Sequence, residues 1–356
     1  MIFNLKKFSN RIAVIDNDIK YKYKDIIKDI DSFGLKNQEK SLFFLLADNS
    51  YDTLIAYLYC IKLKISIVLI DKKISKEFLK KYVDLYKPKF IFCSKNYNFY
   101  SEDFKKYSTF KNSILFSSLK KRNYEIYDDL FLLLPTSGST GDPKFVRLSY
   151  SNIIHNTKSI IKYLSINKDH ITITTLPFNY SYGLSVINSH LLVGSKIVFN
   201  NHSVLEKKFW MDFKKYKVTS FAGVPFTYSL LIKLKNNYFY ANHFKYSTIA
   251  GGALNNSDLK FLVDLYKKNK KKLIVMYGQT EASPRISYVP WSKIQKKTGS
   301  IGKTISGGSL KINFFNTSNN LQTKNGEIIY FGPNVCLGYA NNFRDLKKGD
   351  ENKGRL

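Results

Sequence analysis

Four continuous apolar runs of strand length, residues 41–47, 65–70, 89–93 and 130–134, do most to limit what this chain can fold into. Runs of that length without polar alternation belong in strands buried on both faces. Helix-length stretches separate them. Asn49-Ser50 caps one predicted over residues 51–62, and Ser75 caps another that ends before Pro88. Strands alternating with helices imply a mainly parallel sheet covered on both sides, the α/β class. Two short strand-like runs, 11–15 and 21–23, precede this unit around the turn Asp16-Asn-Asp18, and a helix is expected from Tyr23 to Phe33.

The alternation resumes after residue 130. A short strand is expected at 146–148, then a helix capped by Ser149 or Ser151 and running to Leu164. Further strands are expected at 171–174, 196–199, 220–222, 247–250 and 273–276. Residues 97–129 are polar and without period, and read as a link between the two units. From Gly299 on, glycines are frequent and apolar runs short (310–314, 327–331), which predicts antiparallel β structure. The partition is therefore a first α/β part over 1–129, a second over 130–298, and a small β part over 299–356.

Hydrophobic residues make up 44% of the 356, enough for a large core and against disorder. Cys60, Cys93 and Cys336 lie far apart in sequence, so neither a disulfide framework nor a zinc site is indicated and a reducing cytoplasm is expected. The longest apolar stretch, 54–70, is interrupted by Lys62 and Lys64, which argues against a membrane span. The formal charge of +30 comes from lysines spread along the whole chain. That spread reads as compositional drift rather than a nucleic-acid surface, and no specific nucleic-acid partner is expected. The field still favours anionic substrates. The five histidines show no metal-ligand spacing, and no serine sits in a G-x-S-x-G elbow, so a hydrolase triad is unsupported.

The chemistry gathers at Leu134-Pro-Thr-Ser-Gly-Ser-Thr-Gly-Asp-Pro-Lys144, directly after an apolar run. Thr136, Ser137, Ser139 and Thr140 supply hydroxyls, Gly138 and Gly141 let backbone approach an anion, and Lys144 adds a cation. This is the composition of a phosphate cradle. It is not the nucleoside-triphosphatase P-loop, because Pro143 stands where the second glycine belongs and Phe145 follows the lysine. A Ser/Gly linker is the bland alternative, but a linker has no reason to sit between two strand-like runs.

These residues resemble the TSGSTGxPK signature of the adenylate-forming superfamily, which includes acyl-CoA synthetases, acyl-AMP ligases and peptide-synthetase adenylation domains. Later segments follow in that family's order. Leu176-Pro-Phe-Asn-Tyr-Ser-Tyr-Gly183 is similar to LPxxHxxG at the acid pocket, with Asn179 near the usual histidine position. Gly223-Val-Pro225 resembles the GVP turn, Ala250-Gly-Gly-Ala253 the turn that packs on adenine, and Tyr277-Gly-Gln-Thr-Glu281 the YGxTE motif. Gly299-Ser-Ile-Gly302 and the stretch from Gly326 to Tyr339 are similar to the family's small β segments.

The resemblance implies two packed sheet-and-helix subdomains plus a small β subdomain, and a ligase that turns a carboxylic acid and Mg·ATP into an acyl-adenylate. Lys144, Thr280 and Glu281 would be catalytic, with Glu281 and Thr280 toward Mg²⁺. The residues from Thr136 to Gly141, with Gly251, Gly252, Ala253, Tyr277 and Gly278, would bind the nucleotide. Asn179, Tyr180, Tyr182, Gly183 and Val224 would line the acid pocket. CoA, or the pantetheine of an acyl carrier protein, would accept the acyl group. The family's TGD motif and C-terminal lid do not follow, and Gly349-Asp350 lacks the threonine. The expectation is a large N-terminal domain alone: a fragment, a split gene with a separately encoded lid, or a remnant. Such a chain should bind ATP yet adenylate poorly, the alternative being a nucleotide- or acyl-binding module without turnover.

Overall fold

The computed structural model describes residues 3–34, 39–121, 123–135, 144–235, 238–314 and 325–356. An eight-stranded sheet runs, in spatial order, through Gly338–Ala340, Phe145–Ser149, Leu130–Pro135, Ser66–Asp71, Leu42–Ala47, Phe90–Ser94, Ser113–Ser118 and Phe104–Phe110. The strands from Leu130–Pro135 to Phe90–Ser94 are parallel, and those on both flanks are antiparallel. The parallel strands coincide with the apolar runs for a simple reason: both their faces are covered. Leu42–Ala47 is buried at every position. Phe43, Leu45 and Ala47 enter one apolar cluster, while Leu42, Phe44 and Leu46 enter another on the opposite face.

A nine-stranded sheet runs through Lys303–Thr304, Arg285–Tyr288, Lys272–Gly278, Tyr246–Ile249, Ser220–Gly223, Ile171–Ile173, Lys196–Val198, Ile12–Asp16 and Ile19–Lys22. Its middle six strands are parallel. Helices Tyr51–Leu63 and Ser181–Leu192 are buried nearly all round. They belong to the cluster that also holds Val14 and Ile197 of one sheet and Phe43 and Leu132 of the other, so they form the layer between the sheets. The Tyr57 hydroxyl donates to Asn188 Oδ1 across that layer at 3.2 Å. Ser50, Ser75 and Ser149 cap their helices, each accepting from the N–H three residues on. Ser309–Phe314 and Gly326–Phe331 form a separate antiparallel pair. No helix among the described residues is long and apolar enough to cross a membrane.

The sheets do not follow the expected partition of the chain. Ile12–Asp16 pairs with Lys196–Val198, and Leu130–Pro135 pairs with Ser66–Asp71, so each sheet draws strands from both sides of the division at 129/130. The stretch 97–129 is not an irregular link either. It contains the hairpin Phe104–Phe110 and Ser113–Ser118 that closes one edge of the eight-stranded sheet. An edge strand needs only one apolar face: Phe104 is buried while Lys105 and Lys106 are exposed, so no apolar run marks it.

Candidate active site

Three turns leave the C-terminal ends of adjacent parallel strands: 223–225 after Ser220–Gly223, 250–253 after Tyr246–Ile249, and 278–281 after Lys272–Gly278. A fourth segment, 176–180, leads from Ile171–Ile173 into helix Ser181–Leu192. Their side chains meet. Gly251 has φ +85°, and a Cβ there would lie 2.7 Å from the Tyr180 hydroxyl oxygen and 3.4 Å from Val224 Cγ1. Only glycine permits that backbone and that approach together. Tyr180, Val224 and Gly251, expected in two different subsites, thus share one corner. Asn179 is half-buried in the turn before the helix, Gly183 lies in the helix's first turn, and Gly252 and Ala253 are exposed beside Gly251.

The Thr280 hydroxyl is 3.2 Å from Ser181 Oγ, which ties the 278–281 turn to the N-terminus of that helix. Gly278 packs so tightly that a Cβ would sit 1.8 Å from the Pro284 carbonyl oxygen. Tyr277 is half-buried against the cluster of Ala282, Ile286, Tyr330 and Val335. Tyr182 is fully buried, with its hydroxyl 2.6 Å from Thr248 Oγ1.

Lys144 and Glu281 come together through a residue that motif reading left among the structural ones. Lys144 Nζ lies 3.6 Å from the centroid of the Tyr339 ring. The Tyr339 hydroxyl donates to Glu281 Oε1 at 2.9 Å. Burial, the bond to Glu281 and its negative charge all push the Tyr339 pKa up, so the hydroxyl stays protonated and donating at neutral pH. Arg147 holds the tyrosine's strand: it is fully buried and its Nε donates to the Tyr339 carbonyl at 3.0 Å.

Thr136, Ser137, Gly138, Ser139, Thr140 and Gly141 lie outside the described residues. Their flanks are well placed. Pro135 pairs with Phe145 in register, so the described residues on the two sides of the segment meet at one point of the sheet, with Lys144 beside Phe145. Among the described residues no three His, Cys, Asp or Glu side chains cluster as a metal site. One carboxylate at Glu281 does not make a resident metal centre. It does fit Mg²⁺ carried in on phosphate oxygens, since Mg²⁺ is commonly held by one or two carboxylates plus substrate phosphates.

Tyr339, Arg147 and Arg285 were not singled out from sequence. A signal existed for the arginines. Only six of the 57 Lys and Arg residues are arginine, and among the described residues two of them, Arg147 and Arg285, are buried. In a chain that uses lysine wherever a charge suffices, a surviving arginine marks a need for the planar fork.

A family model described as AMP-binding enzyme matches residues 3–340. The 2-succinylbenzoate–CoA ligase of Oceanobacillus iheyensis is 32% identical over 233 residues, covering 64% of this chain and 46% of that protein. The oxalate–CoA ligase of Arabidopsis thaliana is 28% identical over 229 residues, covering 63% of this chain and 44% of that protein. The aligned stretches thus amount to less than half the length of these curated relatives. In fold, the chain is similar to the O-succinylbenzoate coenzyme A synthetase (MenE) of Bacillus subtilis, solved in complex with ATP and magnesium ion. The TM-score is 0.72 at 18% identity, covering 97% of this chain and 73% of that one.

Proposed function

The chain belongs to the AMP-binding enzyme family, and we propose that it provides the nucleotide and acid sites of an AMP-forming acid–thiol ligase. In the first half-reaction a substrate carboxylate oxygen attacks the α-phosphorus of ATP. The new P–O bond makes the acyl-adenylate, and the bond to the β-phosphate oxygen breaks to release pyrophosphate. In the second, a thiolate attacks the acyl carbon and AMP leaves. CoA is the acceptor favoured by the names of the relatives, and a carrier-protein pantetheine would offer the same thiol.

The observation that carries this reading is the Lys144–Tyr339–Glu281 contact at the exit of the phosphate-loop segment. It sets a cation over the face of one ring and a carboxylate at that ring's hydroxyl, at the strand ends where ligands of α/β sheets bind. Lys144, with the hydroxyls and backbone of 136–141, would hold the β- and γ-phosphates. Glu281 would hold the magnesium that accompanies ATP and neutralises phosphate charge. Thr280, held by Ser181, would donate toward the α-phosphate. Gly251, Gly252, Ala253, Tyr277 and Gly278 would border the adenine, and Asn179, Tyr180, Tyr182, Gly183 and Val224 the acid. Nothing here requires a protein nucleophile. The chain's contribution is orientation and charge stabilisation.

Calorimetric titration with ATP, with and without Mg²⁺, tests the assignment. Lys144→Ala is expected to weaken Mg·ATP binding by about tenfold or more, the scale of one charge-assisted phosphate contact. Glu281→Ala is expected to remove most of the Mg²⁺ enhancement of binding. Unchanged affinity in the first variant together with unchanged Mg²⁺ dependence in the second would sink the reading.

A further inference from the structure

Behind the acid corner lies a small cavity of about 20 Å³. Helices Tyr150–Leu164 and Ser181–Leu192 wall it on one side, and strands Ile171–Ile173, Ser220–Gly223, Tyr246–Ile249 and Lys272–Gly278 on the other. Tyr182 lines it, and the Tyr180 ring of the corner already described meets the Tyr182 ring edge-on, with centroids 6.3 Å apart. Its lining is polar in an unusual way. Eight buried side-chain atoms among the described residues lack a well-formed hydrogen bond, and four of them line this one cavity: His190 Nε2, Ser220 Oγ, the Tyr246 hydroxyl and Arg285 Nε. Burial pushes the Tyr246 pKa up, and Ser220 is near enough that its hydroxyl holds part of that rise back.

Arg285 is the decisive member. It is 3% exposed, and its guanidinium carbon lies 4.1 Å from the centroid of the Tyr182 ring. Burial pushes the Tyr163 pKa up to about 12, and the Arg285 charge and a hydrogen bond from it hold that rise back, so the guanidinium has a neutral partner but no anion. No carboxylate forms an ion pair with Arg285 among the described residues. Stripping water from a guanidinium costs more than one cation–π contact returns. A trapped water would satisfy a donor but leave the charge uncompensated.

The histidine does not add a second charge. Its Nδ1 lies 2.8 Å from the Val186 carbonyl oxygen, which can only accept, so Nδ1 carries the proton and Nε2 presents a lone pair. Burial holds its pKa down to about 4. The cavity therefore presents one permanent positive charge and, among its hydroxyls, those of Ser220 and Tyr246 without a well-formed bond, with no acidic side chain in the lining. Its volume admits one or two water-sized groups, room for the oxygens of a carboxylate but not for a bulkier anion.

The reacting end of the acid belongs at the 278–281 turn, and Arg285 pairs directly with Gly278 on the neighbouring strand. The cavity and the reacting end thus sit one strand apart. We propose, resting on the ligase reading above, that the acid carries a second carboxylate, and that Arg285, with Ser220 and Tyr246, binds it in this cavity. The substrate class is then a short dicarboxylic acid, and an acid with a purely apolar tail is rejected because it would leave the guanidinium buried and unpaired.

Binding of acid pairs matched in length tests this with the full chain by calorimetry in the presence of AMP: butyrate against succinate, valerate against glutarate, hexanoate against adipate. At least one dicarboxylate is expected to bind tenfold or more tightly than its monocarboxylate partner. Arg285→Met should erase that preference, and Arg285→Lys should leave a reduced one, with both variants still binding Mg·ATP. Equal or tighter binding of the monocarboxylates throughout overturns the proposal, as does a preference that survives Arg285→Met. If both variants lose cooperative unfolding, Arg285 is a structural residue and the proposal is also overturned. Failure of the unmodified chain to bind Mg·ATP would count against the ligase reading instead, so the two can fail separately.

Discussion

Arg147 and Arg285 stand at similar depth, each in a strand that flanks the site, and they differ in everything that surrounds the guanidinium. Arg147 donates to the carbonyls of Tyr339 at 3.0 Å, Leu337 at 3.1 Å and Gly349 at 3.3 Å, to that of Lys348, and to the Glu351 carboxylate. All three of its nitrogens are engaged by the chain itself. Arg285 has a ring beneath it and a cavity in front of it. A buried cation that the fold satisfies is a clamp, and here it holds the segment that carries Tyr339. A buried cation that the fold leaves unsatisfied lowers stability unless something else completes it. The pair separates structural from ligand-directed burial within one molecule, without any reference to motif.

The largest effect that could break this contrast is on stability. Arg147→Met takes a donor from five acceptors, one of them charged, although the Leu337 carbonyl keeps its bond from the Glu351 N–H. It is expected to cost about 3–5 kcal/mol, the scale of breaking a buried ion pair from one side. Glu351 is about half exposed and can recover some solvation, which favours the lower end. Arg285→Met removes an uncompensated charge and gives up a cation–π contact, so it should be neutral or stabilising by about 1 kcal/mol. Urea unfolding of the two variants beside the parent chain measures both. Equal losses would erase the distinction between the two arginines.

How far the sequence carried is instructive on the same two residues. Local signals were legible. The all-buried strand Leu42–Ala47 is an apolar run, and Ser50, Ser75 and Ser149 are caps whose bonds span three residues. The turns carrying Val224, Gly251 and Thr280 were placed by motif, although their meeting with Tyr180 and Ser181 needed the strand order. Long-range pairing was not legible. Ile12–Asp16 lies beside Lys196–Val198 through a register that no local pattern encodes. Arg147 finds its acceptors about 190 to 204 positions downstream, and a strand's alternation alone would have turned either arginine toward water. The phosphate-loop residues 136–141 are the reverse case, prominent in sequence and outside the described residues.

A second effect sharpens the contrast from inside the cavity. His190 titrates at about 4 in the folded chain against its ordinary 6.5, because burial disfavours the charged ring. A depressed histidine pKa means that the unfolded chain binds more protons between these values. Its contribution to stability is complete above about pH 6.5 and is lost as pH falls toward 4. The full loss is about 3 kcal/mol. Comparing unfolding free energies of the parent and His190→Gln from pH 7 to pH 4 isolates it from the carboxylates common to both. His170 nearby also opposes protonation, whereas an anion in the cavity would favour it. Succinate or glutarate in the cavity should therefore raise the His190 pKa and flatten the slope, and should do so in Arg147→Met too, which keeps the cavity, but not in His190→Gln.

The smallest expected effect concerns Tyr339, where the clamp and the site meet. Arg147 grips the tyrosine by its backbone carbonyl, and the side chain is left to touch Lys144 with its ring and Glu281 with its hydroxyl. Tyr339→Phe removes only the hydroxyl. A hydrogen bond to a charged group can contribute about 1.5–3 kcal/mol, but Glu281 is half-buried and water can replace the donor, so about 0.5–1 kcal/mol of stability should be lost. The ring under Lys144 persists, and with it most of the cation–π contact. Freed from its donor, the Glu281 carboxylate should accept Mg²⁺ more readily. The Mg²⁺ concentration that half-saturates the enhancement of ATP binding should then fall by about two- to fivefold, the equivalent of 0.4–1 kcal/mol. A rise in that concentration would mean the hydroxyl helps to hold the metal rather than competing with it. A stability loss as large as that of Arg147→Met would mean that the side chain, not the backbone, is what the clamp secures.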